Sequence, residues 1–245
     1  MNFLPEKELQ AAVSSTVTKV EGENIFFNGH NVSELMLNAT FSQTMYLAAT
    51  GKMPDVKISK MIDCILNSLA TETVQMPSTV CARIAAENGA KLNTAIAGGV
   101  CAMDYHHGLH IEESMAILKH SIKDMHDISL NVDDQAEITV QHYHNKSFYL
   151  HGYGNKFHSV DSRVTKLLDK ATELGYHGEY VKLAEAIAPA YKNVFQLDMP
   201  LNLEGLVAAI LLEIGIEPEA GPSFFILARI PCLVANIIEV KGWKK

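Results

Sequence analysis

Apolar positions recur at helical spacing along most of the chain. In SELMLNATFSQTMYLAATG, Leu37, Phe41 and Met45 stand four apart on one stripe. The pattern predicts one helix, stopped by Gly51 and then Pro54. KISKMIDCILNSLA, STVCARIAAENGA, NTAIAGGVCAMD and IEESMAILKHSI read the same way, each ending at Gly, Asn or a polar break. EGLVAAILLEIG, from Glu204 to Gly215, is apolar nearly all round, which places that helix in the core. Strand signal is confined to VTKVEGENIFFNG, where β-branched and aromatic residues flank a Glu-Gly-Glu-Asn turn. The expected fold is all-α with one short N-terminal β-hairpin.

Composition narrows the function classes. The 245 residues are 48% hydrophobic and 20% charged, an ordinary globular balance. The net charge of −8 argues against a general nucleic-acid or anionic-membrane binder. Cys64, Cys81, Cys101 and Cys232 are isolated, which fits reduced thiols in a cytoplasmic protein. MNFLPEKELQ has no basic region followed by an apolar stretch, so no signal peptide is expected. The longest apolar run, Ser223 to Ile238, is interrupted by Arg229, Pro231 and Asn236 and reads as too short and too polar to span a bilayer.

Histidines cluster at HHGLH (His106, His107, His110), at HYH (His142, His144) and around the Gly152–Gly154 loop (His151, His158). His106 and His110 have a spacing that chelates metal on a helix, but Gly108 lies between them and no Glu completes an H-E-x-x-H pattern. No metal is therefore expected. No G-x-S-x-G elbow occurs, and no Cys lies in a catalytic signature. The informative residues are polar ones beside glycines or inside apolar stretches: His107, Asn155, Asp161, Arg163, Asn202, Glu204 and Arg229. Glu204 at a helix start reads as a dipole partner or a functional acid. Arg229 in FILARIPCLV needs a carboxylate partner, from the protein or from a ligand.

Four segments carry a resemblance. STVCARIAAENGAKLNTAIAGGVCAMDYHHG resembles the citrate synthase superfamily segment that runs from an S-T-x-x-A-R helix to a glycine-flanked histidine. GYGNKFHSVDSR resembles its G-F-G-H…D-P-R loop, MPLNLEGLVAAIL its N-V-D-G helix start, and ARIPCLVANIIE its A-R-x-x-G-x-x-A-H-x-x-E ending. The motifs stand in family order from Ser78 to Glu239 and are most similar to the short citryl-CoA lyase branch, itself similar to the C-terminal module of ATP-citrate lyase.

The resemblance implies a large helical domain (1–109 and 201–245) with a smaller one inserted (110–200). It also implies carbon–carbon bond formation or cleavage between an acyl thioester and a keto acid. No permanently bound cofactor is implied; a CoA thioester would be the co-substrate and a small carboxylate the partner. A homodimer or larger homo-oligomer is the default. His107 falls on the histidine that stabilises the enolate, and Glu204 on the base, where the family has Asp. Asn155 stands where the family has a second His. Arg163, Arg229 and Arg83 match arginine positions of the family, with Asn202 and Asp161 beside them as substrate contacts. Gly152, Gly154 and Lys156 form the loop expected to meet CoA. All three Arg of a chain with 17 Lys thus sit at family positions, which suggests a need for the guanidinium fork.

The departures are equally specific. Ser162 replaces the D-P-R proline, Leu109 replaces a glycine, and Asn236 replaces the last motif's His. Before the S-T-x-x-A-R helix the family's substrate-binding His is absent, and Glu72 and Thr73 stand there instead. Two readings compete: an enzyme with altered substrate, or a non-catalytic paralogue that binds an acyl-CoA or carboxylate or partners an active relative. A His-rich metallohydrolase on the same scaffold is a third.

Overall fold

A computed structural model describes residues 15–104, 107–145, 150–154 and 161–242, apart from the side chain of Asn145. The described chain is predominantly helical and divides into two compact units, Met1–Lys60 and Met61–Lys245.

In the first unit, β1 (Thr18–Glu21) and β2 (Asn24–Phe27) pair antiparallel about the Gly22-Glu23 turn, as the pattern predicts. A third strand, β3 (His30–Asn31), extends the hairpin into a sheet of order β1-β2-β3. Its turn is Asn28-Gly29, with φ of 45° and 80°, the pair of positive angles that a two-residue hairpin of type I′ needs. The single helix expected from Ser33 to Thr50 is two: α1 (Val32–Asn38) and α2 (Phe41–Thr50). The break lies at Thr40, whose hydroxyl accepts from the Gln43 N–H while the Gln43 side chain accepts from the Thr40 N–H. Met45 is buried, but Leu37 and Phe41 of the expected stripe are 76% and 71% exposed.

α3 (Val56–Leu69) leads into the second unit and buries Met61, Ile62, Ile65 and Leu69 at helical spacing. Next come α4 (Pro77–Glu87), α5 (Leu92–Cys101), α6 (Ile111–Asp127), α7 (Val132–Asn145), α8 (Ser162–Leu174) and α9 (Glu179–Phe195). The last two helices are α10 (Leu203–Glu213) and, after a 3-10 turn at Pro218–Ala220, α11 (Gly221–Val240). α10 is the core helix its composition predicts: Leu203 and every residue from Gly205 to Leu212 are buried.

The stretch Pro218–Val240 is long and apolar enough by length and composition to cross a membrane, which corrects the expectation that it is too short. Here it packs against α4, α5 and α6 and carries the fully buried Arg229.

Two close backbone approaches set the positions of α4, α5 and α10. At Gly99 of α5 a Cβ would meet the Ser78 carbonyl and the Leu233 side chain, each at 2.9 Å, so α5 presses directly on the start of α4. At Gly205 a Cβ would meet the Gly152 carbonyl oxygen at 2.3 Å, so the 150–154 loop lies against the first turn of α10. That loop is tied down by hydrogen bonds from Asn202 N to Gly152 O (2.9 Å) and from Gly154 N to Pro200 O (2.7 Å).

Gly205→Ala must push this loop away, and a loss of about 1–3 kcal/mol is expected in urea unfolding. Gly98→Ala is the contrast, because its Cβ would meet nothing nearer than Ala85 Cβ at 4.0 Å. That variant is expected to gain up to about 1 kcal/mol from helix propensity alone; equal effects at both positions would contradict the packing described.

Candidate functional site

The second unit gathers charged and polar side chains around one histidine. Pro77 opens α4, its missing N–H falling where the helix has no acceptor to offer. Ser78 and Thr79 follow on the first turn, both fully buried. His107 lies in the turn after α5, 4% exposed, with its N–H donated to the Asp104 carbonyl. Gly108 beside it has φ +89°, and a Cβ there would lie 2.1 Å from the Phe225 ring. Only glycine therefore lets Phe225 set its ring edge-on to the imidazole, with centroids 5.4 Å apart at 86°. The same left-handed residue interrupts the HHGLH run, so His110 does not continue a helix from His107.

Ser78 Oγ and His107 Nε2 are 2.8 Å apart, a full hydrogen bond. Nδ1 faces Glu72 Oε2 at 3.9 Å, too far for a direct bond. Burial lowers the His107 pKa from 6.5 to about 4, and the Arg229 charge adds to the shift against an opposing effect of Asp104. The imidazole is therefore neutral at physiological pH. With a carboxylate on the Nδ1 side, the favoured tautomer carries its proton on Nδ1 and accepts from the Ser78 hydroxyl at Nε2.

Glu72, in the connection between α3 and α4, has a buried Oε2 with no hydrogen-bond partner among the described residues. Burial raises its pKa, the Glu204 carboxylate raises it further, and Arg229 and Arg163 oppose the rise. Arg229 has no exposed surface. Its Nη2 donates to Thr79 Oγ1 at 2.9 Å, while Nε and Nη1 have no partner among the described residues. A buried guanidinium with two unanswered donors is costly and points to an anion that completes it.

Arg163 differs. Its Nη2 and Nε donate to the Asp161 carboxylate at 2.7–3.2 Å, and Nη1 reaches the carbonyls of Ser68 and Thr71. Asp161 also caps α8 by accepting from the Arg163 N–H. The pair thus holds the chain just before Glu72. Glu204, in the first turn of α10, is half-buried and near enough to shift both Glu72 and Arg163.

The other expected site residues have structural occupations. Asn202 caps α10, accepting from Gly205 N and donating to Gly154 O. Gly152 and Gly154 dock their loop onto that helix start. Arg83 bonds Asn236 and pairs with Glu239, at least about 10 Å along α11 from Arg229, so it does not join the cluster. Asn155 and Lys156 lie outside the described residues, as does His106. The structure adds Ser78, Thr79 and Phe225, which sequence reasoning did not single out, although Ser78 and Thr79 open the S-T-x-x-A-R motif.

Among the described residues no group of three or more His, Cys, Asp and Glu could hold a metal ion. A groove of about 620 Å³ lined by Lys119, His120, Lys123, Tyr180 and Glu217 shares no residue with the cluster.

A profile of the citrate synthase C-terminal domain matches residues 54–244. Among curated proteins no sequence match was found. The structure of citryl-CoA lyase from Hydrogenobacter thermophilus is similar at a TM-score of 0.86 and 29% identity, over 95% of this chain and 88% of that one. ATP citrate lyase from Methanothrix soehngenii, solved with citrate and coenzyme A, is similar in fold at a TM-score of 0.79 and 16% identity. There 99% of this chain covers 42% of the longer one. Citrate synthase from Thermoplasma acidophilum, solved with carboxymethyl coenzyme A and oxaloacetate, has a TM-score of 0.62 at 19% identity, over 82% of this chain and 52% of that one.

His107 is expected to stay neutral down to about pH 4, followed by its ring resonances in an NMR titration. Between about 4 and 6.5 the unfolded chain holds a proton at this position and the folded chain does not, so stability falls as pH falls through that window. Relative to His107→Gln, the wild type should lose on the order of 3 kcal/mol across it. A titration midpoint near 6.5 would contradict the burial described.

Proposed function

Starting from the fact that the chain belongs to the citrate synthase family, we propose that it makes or breaks a carbon–carbon bond between an acyl thioester and a keto acid. The observation that supports this most is the neutral His107, held at Nε2 by Ser78 with its Nδ1–H left for a substrate. A neutral imidazole N–H donates to a thioester oxygen as enolate charge develops, without having to give up its proton. Glu204 takes the proton from the α-carbon, the new enolate carbon attacks the keto carbon, and the proton that Glu204 took up returns to the keto oxygen as the bond forms. Cleavage runs these steps backwards. Arg229 holds a carboxylate of the acid through Nε and Nη1, the donors left open. A CoA thioester as co-substrate, Asn155 as the group that orients the keto oxygen, Lys156 beside CoA, closure of residues 110–200 over the substrate and assembly as a homodimer belong to the same reading.

Glu204→Gln is expected to lower acyl-CoA interconversion by about 10²–10⁴, followed by mass spectrometry of the thioester pool, with thioester affinity little changed. Full activity in that variant would remove Glu204 from the mechanism. Thioester binding by the wild type without turnover across a range of keto acids would instead support a non-catalytic paralogue.

A further inference from the structure

The acid-binding side of the cluster has an unusual charge balance. Asp161 holds the Nε–Nη2 edge of Arg163, and Arg83 is engaged with Glu239, whereas Arg229 keeps two buried donors without a partner among the described residues. Near that buried guanidinium stand two carboxylates, Glu72 and Glu204, close enough for each other's charge to be felt. Glu72 and Arg229 interact through space but do not hydrogen-bond each other, and each keeps buried atoms unpaired: Oε2 on one, Nε and Nη1 on the other. Unanswered acceptor and donor atoms in one desolvated place describe a ligand that is a carboxylate at one end and a hydrogen-bond donor at the other.

We propose that Glu72 sets the specificity of this site: Arg229 grips the single carboxylate of a monocarboxylic keto acid, and Glu72 accepts a hydrogen bond from a hydroxyl on the same molecule while repelling a second carboxylate. The inference rests on the reading of Arg229 as the acid clamp. A hydroxyl is the donor that answers Oε2 at the least desolvation cost. A second carboxylate beside Glu72 would add like charge in a buried place, where juxtaposed charges of one sign are strongly unfavourable. Thr73, the other residue at the position of the missing histidine, is exposed and leaves Glu72 as the discriminating group.

Calorimetric titration with pyruvate, hydroxypyruvate and oxaloacetate tests this, since the three differ only in carrying hydrogen, hydroxyl or carboxylate at the third carbon. Wild type is expected to bind hydroxypyruvate at least about tenfold more tightly than oxaloacetate, with pyruvate between. Glu72→His should reverse that order. Glu72→Gln, nearly isosteric and so the safer variant for folding, should abolish the penalty on oxaloacetate while retaining pyruvate. Arg229→Lys should weaken all three. Equal affinity for hydroxypyruvate and oxaloacetate, an unchanged ratio in both Glu72 variants, or no binding of any of the three at millimolar concentration would overturn the proposal. Because the readout is binding, absence of carbon–carbon chemistry leaves the specificity result standing. Loss of preference in a protein that still turns over thioesters would leave the catalytic reading standing.

Discussion

A guanidinium with no solvent exposure constrains everything around it. Arg229 projects from a helix whose other side chains are mostly apolar, and among the described residues its one hydrogen-bond partner is the Thr79 hydroxyl. An isolated charge in such surroundings costs several kcal/mol unless anions or dipoles offset it. The compensation here is diffuse: the Glu72 carboxylate stands nearby without touching it. The same charge helps keep His107 neutral, so the feature that makes the arginine expensive also prepares the imidazole. In the proposed chemistry, a substrate carboxylate is the counter-ion that the fold leaves out.

Backbone contacts hold this arrangement in place. Gly99 brings α5 against the carbonyl of Ser78, Gly108 admits the Phe225 ring beside His107, and Gly205 seats the Gly152 carbonyl on the helix that carries Glu204. At each position a Cβ would come within 3 Å of a neighbouring atom. These are the points at which separate helices come close enough to set the relative placement of acid, imidazole and guanidinium. The Asp161–Arg163 pair does comparable work in the connection that presents Glu72, by holding the carbonyls of Ser68 and Thr71.

The helices and the core were legible in the sequence because apolar periodicity and an all-apolar run such as that of α10 report burial directly. The boundary at Thr40 was legible too, as a Thr-x-x-Gln capping box, but a continuous apolar stripe through Leu37 and Phe41 outweighed it. The turn at Asn28-Gly29 carried its own hairpin signature beyond the predicted strand pair. At the site, family motifs singled out His107, Arg163, Glu204 and Arg229. What they could not convey was which arginine is already satisfied, since that depends on Asp161 folding back onto Arg163 and on Glu239 reaching Arg83. Ser78 was hidden for a related reason: its role exists only because the turn at Gly108 carries His107 back to α4. Glu72 was visible as a replacement, but its unpaired oxygen is a property of the three-dimensional cluster.

Enolisation of a thioester by Glu204 and His107 is the step on which the proposed chemistry turns. The most direct measurement is deuterium uptake into the methyl group of acetyl-CoA, incubated with the protein in heavy water and followed by mass spectrometry. It needs neither the identity of the keto acid nor a complete reaction. The protein is expected to accelerate exchange of those protons well above the solution rate. Exchange no faster than in buffer, under conditions where acetyl-CoA is shown to be bound, would contradict a role for this pair in enolisation.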